Sequence, residues 1–500
     1  MARNPNLVFV FSDQHRRSAL SLWQREEYRS HLLGEGDPVY TPNLDKLADE
    51  GVLLSDAYSS YPVCSPFRAM LFSGLYPENN GVWQNCAPGR SDELRKDIPT
   101  FTDILSDAGY SVGYVGKWHL EEPRADFDEK GNYIGDVEGF SGERFFSDGT
   151  KDPKKAEWDT LIPKDRQRKI DYLYAYNTFD VFRKTADMNF HTSPHYWDKE
   201  LNKVLPPEEV WTPDFETELA LNFLRNEHSE RDESKPFALF VSFNPPHTPC
   251  GSRGDTDHGS YDEMFSKAAV DDYRELLNRK NVDMAGDDFE ARVRVYFSHV
   301  GGIDKCVGRL MDSLSSLGLE KDTVFIFTSD HGEMLGSHGL VAKNVPYEEA
   351  TAIPFIIRYP QKLHHRTEEL MFDGCDIMPT VLNLMGIKQP ESLDGRDFSS
   401  ILHSGVGDRP ESVLFTQVKR KGVRTKKYLM TISYGDEERY CDPLLFSLAD
   451  DPYQLKPIPF ESIGEEELLF LRRELGMHLA RSSDPWYKRR LYSDFIIYPC

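Results

Sequence analysis

The feature that most constrains the fold is the alternation of apolar, strand-like runs with amphipathic helical stretches over roughly the first 390 residues. The first run, Asn6–Ser12 (NLVFVFS), is almost entirely apolar, which is typical of a strand buried on both faces. Further strands are predicted at Val52–Leu54, Ser111–Gly116, Phe237–Phe243 and Thr323–Thr328. This alternation predicts an α/β fold with a large, mostly parallel sheet sandwiched by helices.

Capping residues locate several of the helices. Thr41 followed by Pro42 predicts an N-cap with proline in the first helical turn. Thr100 and Asp103 have the spacing of a capping box. Apolar residues at helical spacing predict a long amphipathic helix over about 289–317.

The pattern changes toward the end of the chain. Val423–Ile432 and Pro443–Leu448 are typical of antiparallel strands, and a helix is predicted near Glu465–Arg481. We therefore expect an N-terminal α/β catalytic domain over residues 1–402 and a smaller C-terminal α+β subdomain over residues 403–500. The subdomain is expected to contain a short antiparallel sheet.

A charged, aromatic-rich and poorly periodic segment interrupts the alternation at about 123–213, and a second long segment lies at about 255–288. Loops of this length are usually functional or disordered, and we interpret these two as insertions over the sheet edge that shape a pocket. His191, His195, Tyr196 and Trp197 could line a sugar pocket or could simply pack a loop.

Charge and targeting signals argue against several classes of protein. Lys and Arg total 59 against 83 Asp and Glu, which gives a net charge of −24. A nucleic-acid or membrane partner needs a basic surface, so we expect neither. No window approaches the ~18 apolar residues of a membrane span, and no signal peptide is visible. We expect a cytoplasmic protein as written, or a periplasmic or secreted one if a leader was trimmed.

Chemically active residues directly follow four of the predicted strands. They are Asp13 and Gln14, Lys117 and His119, His247, and Asp330 and His331. Because the carboxyl ends of parallel strands lie along one edge of a sheet, where ligands bind, these residues are expected to converge.

A fifth element is the segment Cys64-Ser65-Pro66-Phe67-Arg68. Pro66 suits a first helical turn, so Cys64 is expected at a helix N-terminus, where free N–H groups favour an anion. Arg68, one turn later, can hold an oxygen-bearing group beside Cys64. Taken alone, this cysteine could be a thiolate nucleophile or a buried spectator.

Together these residues resemble the formylglycine-dependent sulfatases of the alkaline-phosphatase superfamily. Cys64–Arg68 has the C-x-P-x-R form of that family. The other similar segments, in the same order, are Asn6–Gln14 (first metal strand), Gly116–His119 (G-K-W-H), Asn244–His247 (P-P-H), Ser329–Glu333 with Lys343 (last metal strand and its lysine) and Leu448–Tyr453 (C-terminal turn). The resemblance covers almost the whole chain.

The resemblance implies that a maturation enzyme oxidises Cys64 to formylglycine, whose hydrated form attacks sulfur and later releases sulfate by elimination. It also implies one divalent cation, with Asp13, Gln14, Asp330, His331 and the modified Cys64 as ligands. Oxygen ligands favour a hard ion, so calcium is expected first, with manganese or magnesium as alternatives.

The resemblance assigns roles to the remaining residues. Arg68 and Lys117 would stabilise the nucleophile and the transferring group, and His119 would be the base for elimination. His247 would protonate the leaving alcohol, and Lys343 would bind a sulfate oxygen. Considered singly, His247 could be a turn residue and Lys343 a surface lysine.

The sequence therefore predicts a sulfatase that hydrolyses a sulfate ester, expected to be that of a small sulfated saccharide. The alternative enzyme is a phosphonate or phosphate ester hydrolase on the same scaffold. A third interpretation is a non-catalytic protein that binds sulfated glycans, if Cys64 stays unmodified. The sequence leaves the oligomeric state open.

Overall fold

The structure, a computed structural model, describes residues 4–86, 92–122, 162, 164–177, 196–198, 203–205, 211–247, 279–434 and 440–488. The strands are β1 (Asn6–Ser12), β2 (Val52–Leu54), β3 (Ala57–Tyr58), β4 (Ser111–Lys117), β5 (Tyr172–Tyr176), β6 (Tyr196–Asp198), β7 (Lys203–Leu205), β8 (Phe237–Phe243), β9 (Thr323–Ser329), β10 (Phe355–Arg358), β11 (Arg366–Glu368), β12 (Phe372–Asp373), β13 (Ser412–Thr416), β14 (Arg420–Thr425), β15 (Tyr428–Tyr434) and β16 (Tyr440–Ser447).

Helices occupy much of the chain between these strands. The α-helices are α1 (Glu26–Arg29), α2 (Pro42–Asp49), α3 (Cys64–Ser73), α4 (Pro77–Asn80), α5 (Phe101–Asp107), α6 (Thr212–Arg225), α7 (Asp287–Ser316), α8 (Glu348–Thr351), α9 (Gly374–Leu384), α10 (Ser399–Ser404), α11 (Glu465–Arg481) and α12 (Pro485–Lys488). Short 3-10 helices lie at Ser21–Gln24, Lys164–Arg166, Glu320–Asp322 and Phe460–Ser462. None of the helices described is long and apolar enough to span a bilayer.

The main sheet has ten strands in the order β11-β2-β10-β9-β1-β8-β4-β5-β6-β7. Strand β1 pairs in parallel with β8 on one side and β9 on the other, and β4 pairs in parallel with β8 and β5. Antiparallel pairing occurs at β10 and at the edge strands β6 and β7. The predicted large, mostly parallel sheet is confirmed.

Side chains alternate between the two faces of β1, and each face is covered. Phe9 belongs to a buried apolar cluster that includes Met70 of α3, whereas Val10 belongs to a second cluster that includes Val307 of α7. A strand whose side chains are all removed from water explains the almost continuously apolar sequence at Asn6–Ser12.

The N-terminus of α2 is capped differently from the prediction. Pro42 occupies the first turn as expected, but the Thr41 side chain makes no capping hydrogen bond. Its hydroxyl instead lies 3.2 Å from Asp45 Oδ1, to which it donates. The N–H of Leu44 donates to Asp304 Oδ1 at 2.8 Å, and Asp304 belongs to α7. A tertiary contact therefore replaces the local cap.

The predicted capping box at Thr100 and Asp103 is present, with both of its reciprocal hydrogen bonds. The predicted C-terminal helix at Glu465–Arg481 coincides with α11.

The C-terminal sheet is antiparallel, in the order β13-β14-β15-β16. The segment predicted as strand at Val423–Ile432 is divided by a turn, because exposed Lys426 and Lys427 separate β14 from β15. The hydroxyl oxygen of Thr425 accepts the N–H of Tyr428 at 2.9 Å and stabilises that turn. The division at residues 402 and 403 stays a prediction.

A buried lysine ties β14 to the N-terminal part of the chain. Lys421 Nζ lies 2.6 Å from Asp484 Oδ2 and 3.3 Å from Glu78 Oε1 of α4. The same ammonium lies 4.7 Å from the centre of the Trp83 ring. Removing one partner from such a buried group leaves an uncompensated charge.

Much of the two predicted insertions falls outside the described residues. His191 and His195 are among the residues not described, and Tyr196–Asp198 form β6. The pocket-lining interpretation of these residues stays a prediction.

Candidate active site

The site lies at the carboxyl edge of the central strands, where the strand register brings distant residues side by side. Ser12 pairs with Phe243 of β8 and with Ser329 of β9. Asp13 directly follows β1, and its N–H donates to Phe243 O at 2.9 Å. Asp330 N in turn donates to Ser12 O at 3.4 Å. Two carboxylates from distant parts of the chain, Asp13 and Asp330, therefore meet at one point.

Four potential ligands surround that point. One ligand atom from each of Asp13, Cys64, Asp330 and His331 lies within 4.8 Å of the others. Cys64 Sγ is 3.5 Å from Asp13 Oδ1 and 3.3 Å from His331 Nε2. All four residues are completely buried.

These donors fit a divalent cation. Asp330 Oδ2 is buried and receives no hydrogen bond from the described residues, although Arg68 Nε lies 3.5 Å away. Gln14 stands beside the cluster, and its backbone N–H donates to Asp330 Oδ1 at 3.0 Å. Carboxylates, an amide oxygen and an imidazole together are compatible with calcium or manganese.

The electrostatics of the two carboxylates differ. Burial would raise the pKa of Asp13, but the Lys117 ammonium 2.6 Å from Asp13 Oδ2, together with His247, Lys343 and His331, outweighs it. The pKa is therefore held well below its usual value. Burial and the charge of Asp13 raise the pKa of Asp330 to about 7. The site thus holds negative charge that a cation would stabilise.

Two fixed cations lie beside Cys64. Cys64 is the first residue of α3, and Arg68 follows one turn later. Arg68 Nη1 donates to Ser242 Oγ at 2.7 Å and to Lys117 O at 2.8 Å, while Nη2 lies 3.2 Å from Asp13 Oδ2. Lys117 Nζ also donates to Asn244 Oδ1 at 3.1 Å. These contacts hold the guanidinium and the ammonium in fixed positions.

His119 lies just beyond β4 with a φ of 56°, a left-handed backbone conformation that is uncommon outside glycine. Its Nε2 lies 3.3 Å from Cys86 O, which fits a tautomer with the proton on Nε2. Burial, together with Lys117 and Arg68, lowers the pKa of His119 well below its usual value. The imidazole is therefore neutral at pH 7 and can accept a proton.

His247 and Lys343 form a close pair. Lys343 Nζ lies 2.6 Å from His247 Nε2 and donates to Gln14 Oε1 at 2.8 Å. Burial and the Lys343 ammonium lower the pKa of His247 well below its usual value. A neutral imidazole that accepts from an ammonium explains the short contact.

The structure brings together every residue of the predicted site. They are Asp13, Gln14, Cys64, Arg68, Lys117, His119, His247, Asp330, His331 and Lys343. Their individual roles stay predictions.

Three further residues were missed. Ser242 and Asn244 bind Arg68 and Lys117, and Glu333 contacts the Gln14 amide. Ser242 is the only polar residue of the apolar strand β8, which is a detectable signal. Asn244 and Glu333 lie within motifs already identified, but sequence alone does not show what their side chains contact.

Comparisons with known proteins agree with this geometry. The sulfatase family model matches residues 5–387, and a model described as N-sulphoglucosamine sulphohydrolase, C-terminal, matches residues 336–480. An endo-4-O-sulfatase of Bacteroides thetaiotaomicron is 34% identical, with 99% of this chain and 96% of that protein covered. An ulvan-active sulfatase of Formosa agariphila is 28% identical, with 98% and 83% covered.

Solved structures give the same result. A structure from work on glycosaminoglycan metabolism by Bacteroides thetaiotaomicron superposes with a TM-score of 0.88 at 34% identity, covering 99% of this chain and 100% of that one. A phosphonate monoester hydrolase of Agrobacterium radiobacter shares the fold, with a TM-score of 0.63 at 21% identity, covering 95% and 96% of the two chains. Family-model match, sequence identity and superposition together show that the chain belongs to the sulfatase family, whose members hydrolyse sulfate esters.

Proposed function

We propose that this enzyme removes sulfate from a sulfated carbohydrate at the site around Cys64. The observation that carries the proposal is the burial of Cys64 among Asp13, Asp330 and His331, with Arg68 and Lys117 alongside. The relatives support a saccharide substrate, because one is an endo-4-O-sulfatase and another an N-acetylglucosamine-6-O-sulfatase.

Conversion of Cys64 to formylglycine by a maturation enzyme would supply a hydrated aldehyde whose oxygen is the nucleophile. A divalent cation held by Asp13, Gln14, Asp330 and His331, calcium in our proposal, would supply positive charge beside that nucleophile. The carboxylates and the Gln14 amide supply the oxygen donors that favour a hard ion.

Arg68 and Lys117 stabilise negative charge on the sulfate group as it is transferred. Both side chains are completely buried and are held by several contacts, so their charges need little rearrangement during the reaction. Fixed charges of this kind act more strongly in a water-poor site than in bulk water.

His119 would act as the base that accepts the proton which the hydrated formylglycine loses when sulfate is eliminated. Its lowered pKa keeps the imidazole unprotonated at neutral pH, and the contact with Cys86 O leaves Nδ1 as the basic nitrogen.

His247 and Lys343 protonate the leaving alcohol as a pair. Lys343 Nζ lies 2.6 Å from His247 Nε2, and burial together with the Lys343 ammonium lowers the pKa of His247, so we assign the shared proton to Lys343. The prediction that His247 protonates the leaving alcohol stays a prediction; we add that Lys343 either donates directly or reprotonates His247.

The test is sulfate release from a panel of defined sulfated mono- and oligosaccharides. The enzyme is produced with a formylglycine-generating enzyme, and Cys64→Ala is the matched control. We expect release from at least one saccharide with kcat/KM above that for small aryl sulfates, and no release by Cys64→Ala. Preference for an aryl sulfate over every saccharide would refute the carbohydrate assignment.

The same preparation tests the alternatives. Matched sulfate and phosphate esters give the ratio of kcat/KM, and a ratio favouring phosphate would support the phosphonate or phosphate hydrolase. Mass spectrometry of the Cys64 peptide measures modification directly. An unmodified thiol in a protein that still binds sulfated glycans would support the binding function.

A further inference from the structure

We propose that Glu333 is a positioning residue that fixes the orientation of the Gln14 side-chain amide, so that Gln14 turns its oxygen, and not its nitrogen, toward the cation site. The inference rests on the metal-ligand set of the proposed function. It goes beyond that set by assigning to a non-ligand residue the control of one ligand.

The Gln14 amide is held between two charged groups of opposite sign. Gln14 Nε2 donates to Glu333 Oε2, and Gln14 Oε1 accepts from Lys343 Nζ at 2.8 Å. A carboxylate can only accept and an ammonium can only donate. Rotating the amide by half a turn would place Gln14 Oε1 against the Glu333 carboxylate, two acceptors, and Gln14 Nε2 against the Lys343 ammonium, two donors. The two partners therefore select one orientation.

The backbone of Gln14 is also fixed. Its φ of 71° lies in the left-handed region, and its N–H donates to Asp330 Oδ1 at 3.0 Å. The fixed backbone sets where the side chain begins, and the contacts with Glu333 and Lys343 hold the amide at its other end.

Glu333 is itself rigidly held. The residue is completely buried, and its Oε1 accepts the N–H groups of Leu335 at 3.0 Å and Ala342 at 2.7 Å. Ala342 directly precedes Lys343. The Glu333 carboxylate therefore joins the Gln14 amide to the loop that carries Lys343. A change in this carboxylate should alter the positions of both the amide and the loop.

The change Glu333→Gln tests this role with almost no change in size. The two loop N–H groups require the new amide oxygen, so the new amide nitrogen must face Gln14. Gln14 then has to turn its oxygen toward residue 333 and its nitrogen toward the cation site and Lys343. Loss of an outer-shell partner typically weakens metal binding about 10–100-fold, and we expect a loss in this range.

A compensating change separates positioning from a purely structural role. In the Glu333→Gln background, Gln14→Glu supplies a carboxylate that accepts from the new amide and still offers an oxygen to the cation. In the wild-type background, Gln14→Glu instead faces the Glu333 carboxylate and should weaken binding, despite adding a negative charge. A residue that only stabilised the loop would not show this reversal.

The experiment is calorimetric titration of Ca²⁺ alone into the full-length protein after chelation and dialysis. It compares wild type, the two single variants, the double variant and the exposed control Glu227→Gln. We expect about 10–100-fold weaker binding for Glu333→Gln and for Gln14→Glu. The double variant should return to within about threefold of wild type, and the control should bind as wild type does.

Unchanged Ca²⁺ affinity in Glu333→Gln, or tighter binding in Gln14→Glu, would overturn the inference. The second variant leaves Glu333 and its loop intact, so the test holds even if Glu333→Gln fails to fold. If either result is obtained with an enzyme that still releases sulfate, the inference about Glu333 is wrong and the proposed function stands. Absence of sulfate release by a wild type that binds Ca²⁺ would overturn the proposed function instead.

Discussion

Replacing Asp304 by asparagine should make the protein progressively more stable than wild type as the pH rises. Asp304 is completely buried on α7 and caps α2, accepting from Leu44 N and Asn43 Nδ2 at 2.8 Å each. Burial raises the pKa of this carboxyl from 3.8 to about 7, in spite of both hydrogen bonds. Asparagine is also a good helix cap, and Asn43 can turn its amide oxygen toward the new side chain.

The sign of the effect follows from linkage. Because the folded-state pKa is raised, the contribution of this group to stability is fully present below about pH 4 and is lost as the pH rises through about 7. Each pKa unit is worth about 1.4 kcal/mol, so the total loss is about 4 kcal/mol. About 2–3 kcal/mol of it falls between pH 5 and pH 8. Asparagine carries no such dependence.

The measurement is urea-induced unfolding of both proteins at four values of pH between 5 and 8. The difference in free energy of unfolding, variant minus wild type, should rise by about 2–3 kcal/mol over this range, with most of the rise below about pH 7. Asp312→Asn, which removes an exposed carboxylate from the same helix, is the matched control. A difference that stays constant with pH would refute the assignment of a raised pKa to Asp304.

Two further predictions concern the site, and one concerns the buried Lys421. Ser242→Ala removes the hydroxyl that accepts from Arg68 Nη1 and leaves a buried guanidinium N–H unpaired. Such an unpaired group costs about 1–3 kcal/mol, so kcat/KM should fall roughly 5–150-fold. An unchanged kcat/KM would contradict the role given to Arg68. Lys421→Met leaves Glu78 and Asp484 buried without their lysine, so we expect about 3–5 kcal/mol lower stability by urea unfolding. Because burial and Asp484 raise the pKa of Glu78 to about 8, that loss should be larger at pH 8 than at pH 6, and the opposite trend would refute the pairing. Chelation followed by dialysis should abolish sulfate release and Ca²⁺ should restore it; full activity after chelation would remove the cation from the proposal.

The sequence predicted the sheet and the position of the site well because both depend on local patterns. An apolar run such as Asn6–Ser12 can be recognised without a partner, and the polar residues that follow the central strands must share one sheet edge. The sequence did not predict interactions that depend on tertiary contact. Asp304 binds the first turn of a helix at Asn43, 261 positions earlier in the chain, and no local pattern marks Glu333 as the partner of the Gln14 amide. The contact between His247 and Lys343, 96 positions apart in the chain, is likewise marked by no local pattern.

The central position of β1 has a consequence for protein synthesis. β1 emerges from the ribosome before both of the strands that pair with it. Phe237 of β8 lies 231 positions after Asn6, and Asp330, directly after β9, lies 316 positions after Gln14. At about 5–20 residues per second, this apolar strand waits roughly 15–60 seconds for its second neighbour. During that time Cys64 has no Asp330 or His331 beside it. During this period in the nascent chain, Cys64 is accessible to modification and β1 is exposed to aggregation. Both exposures end when β9 pairs with β1.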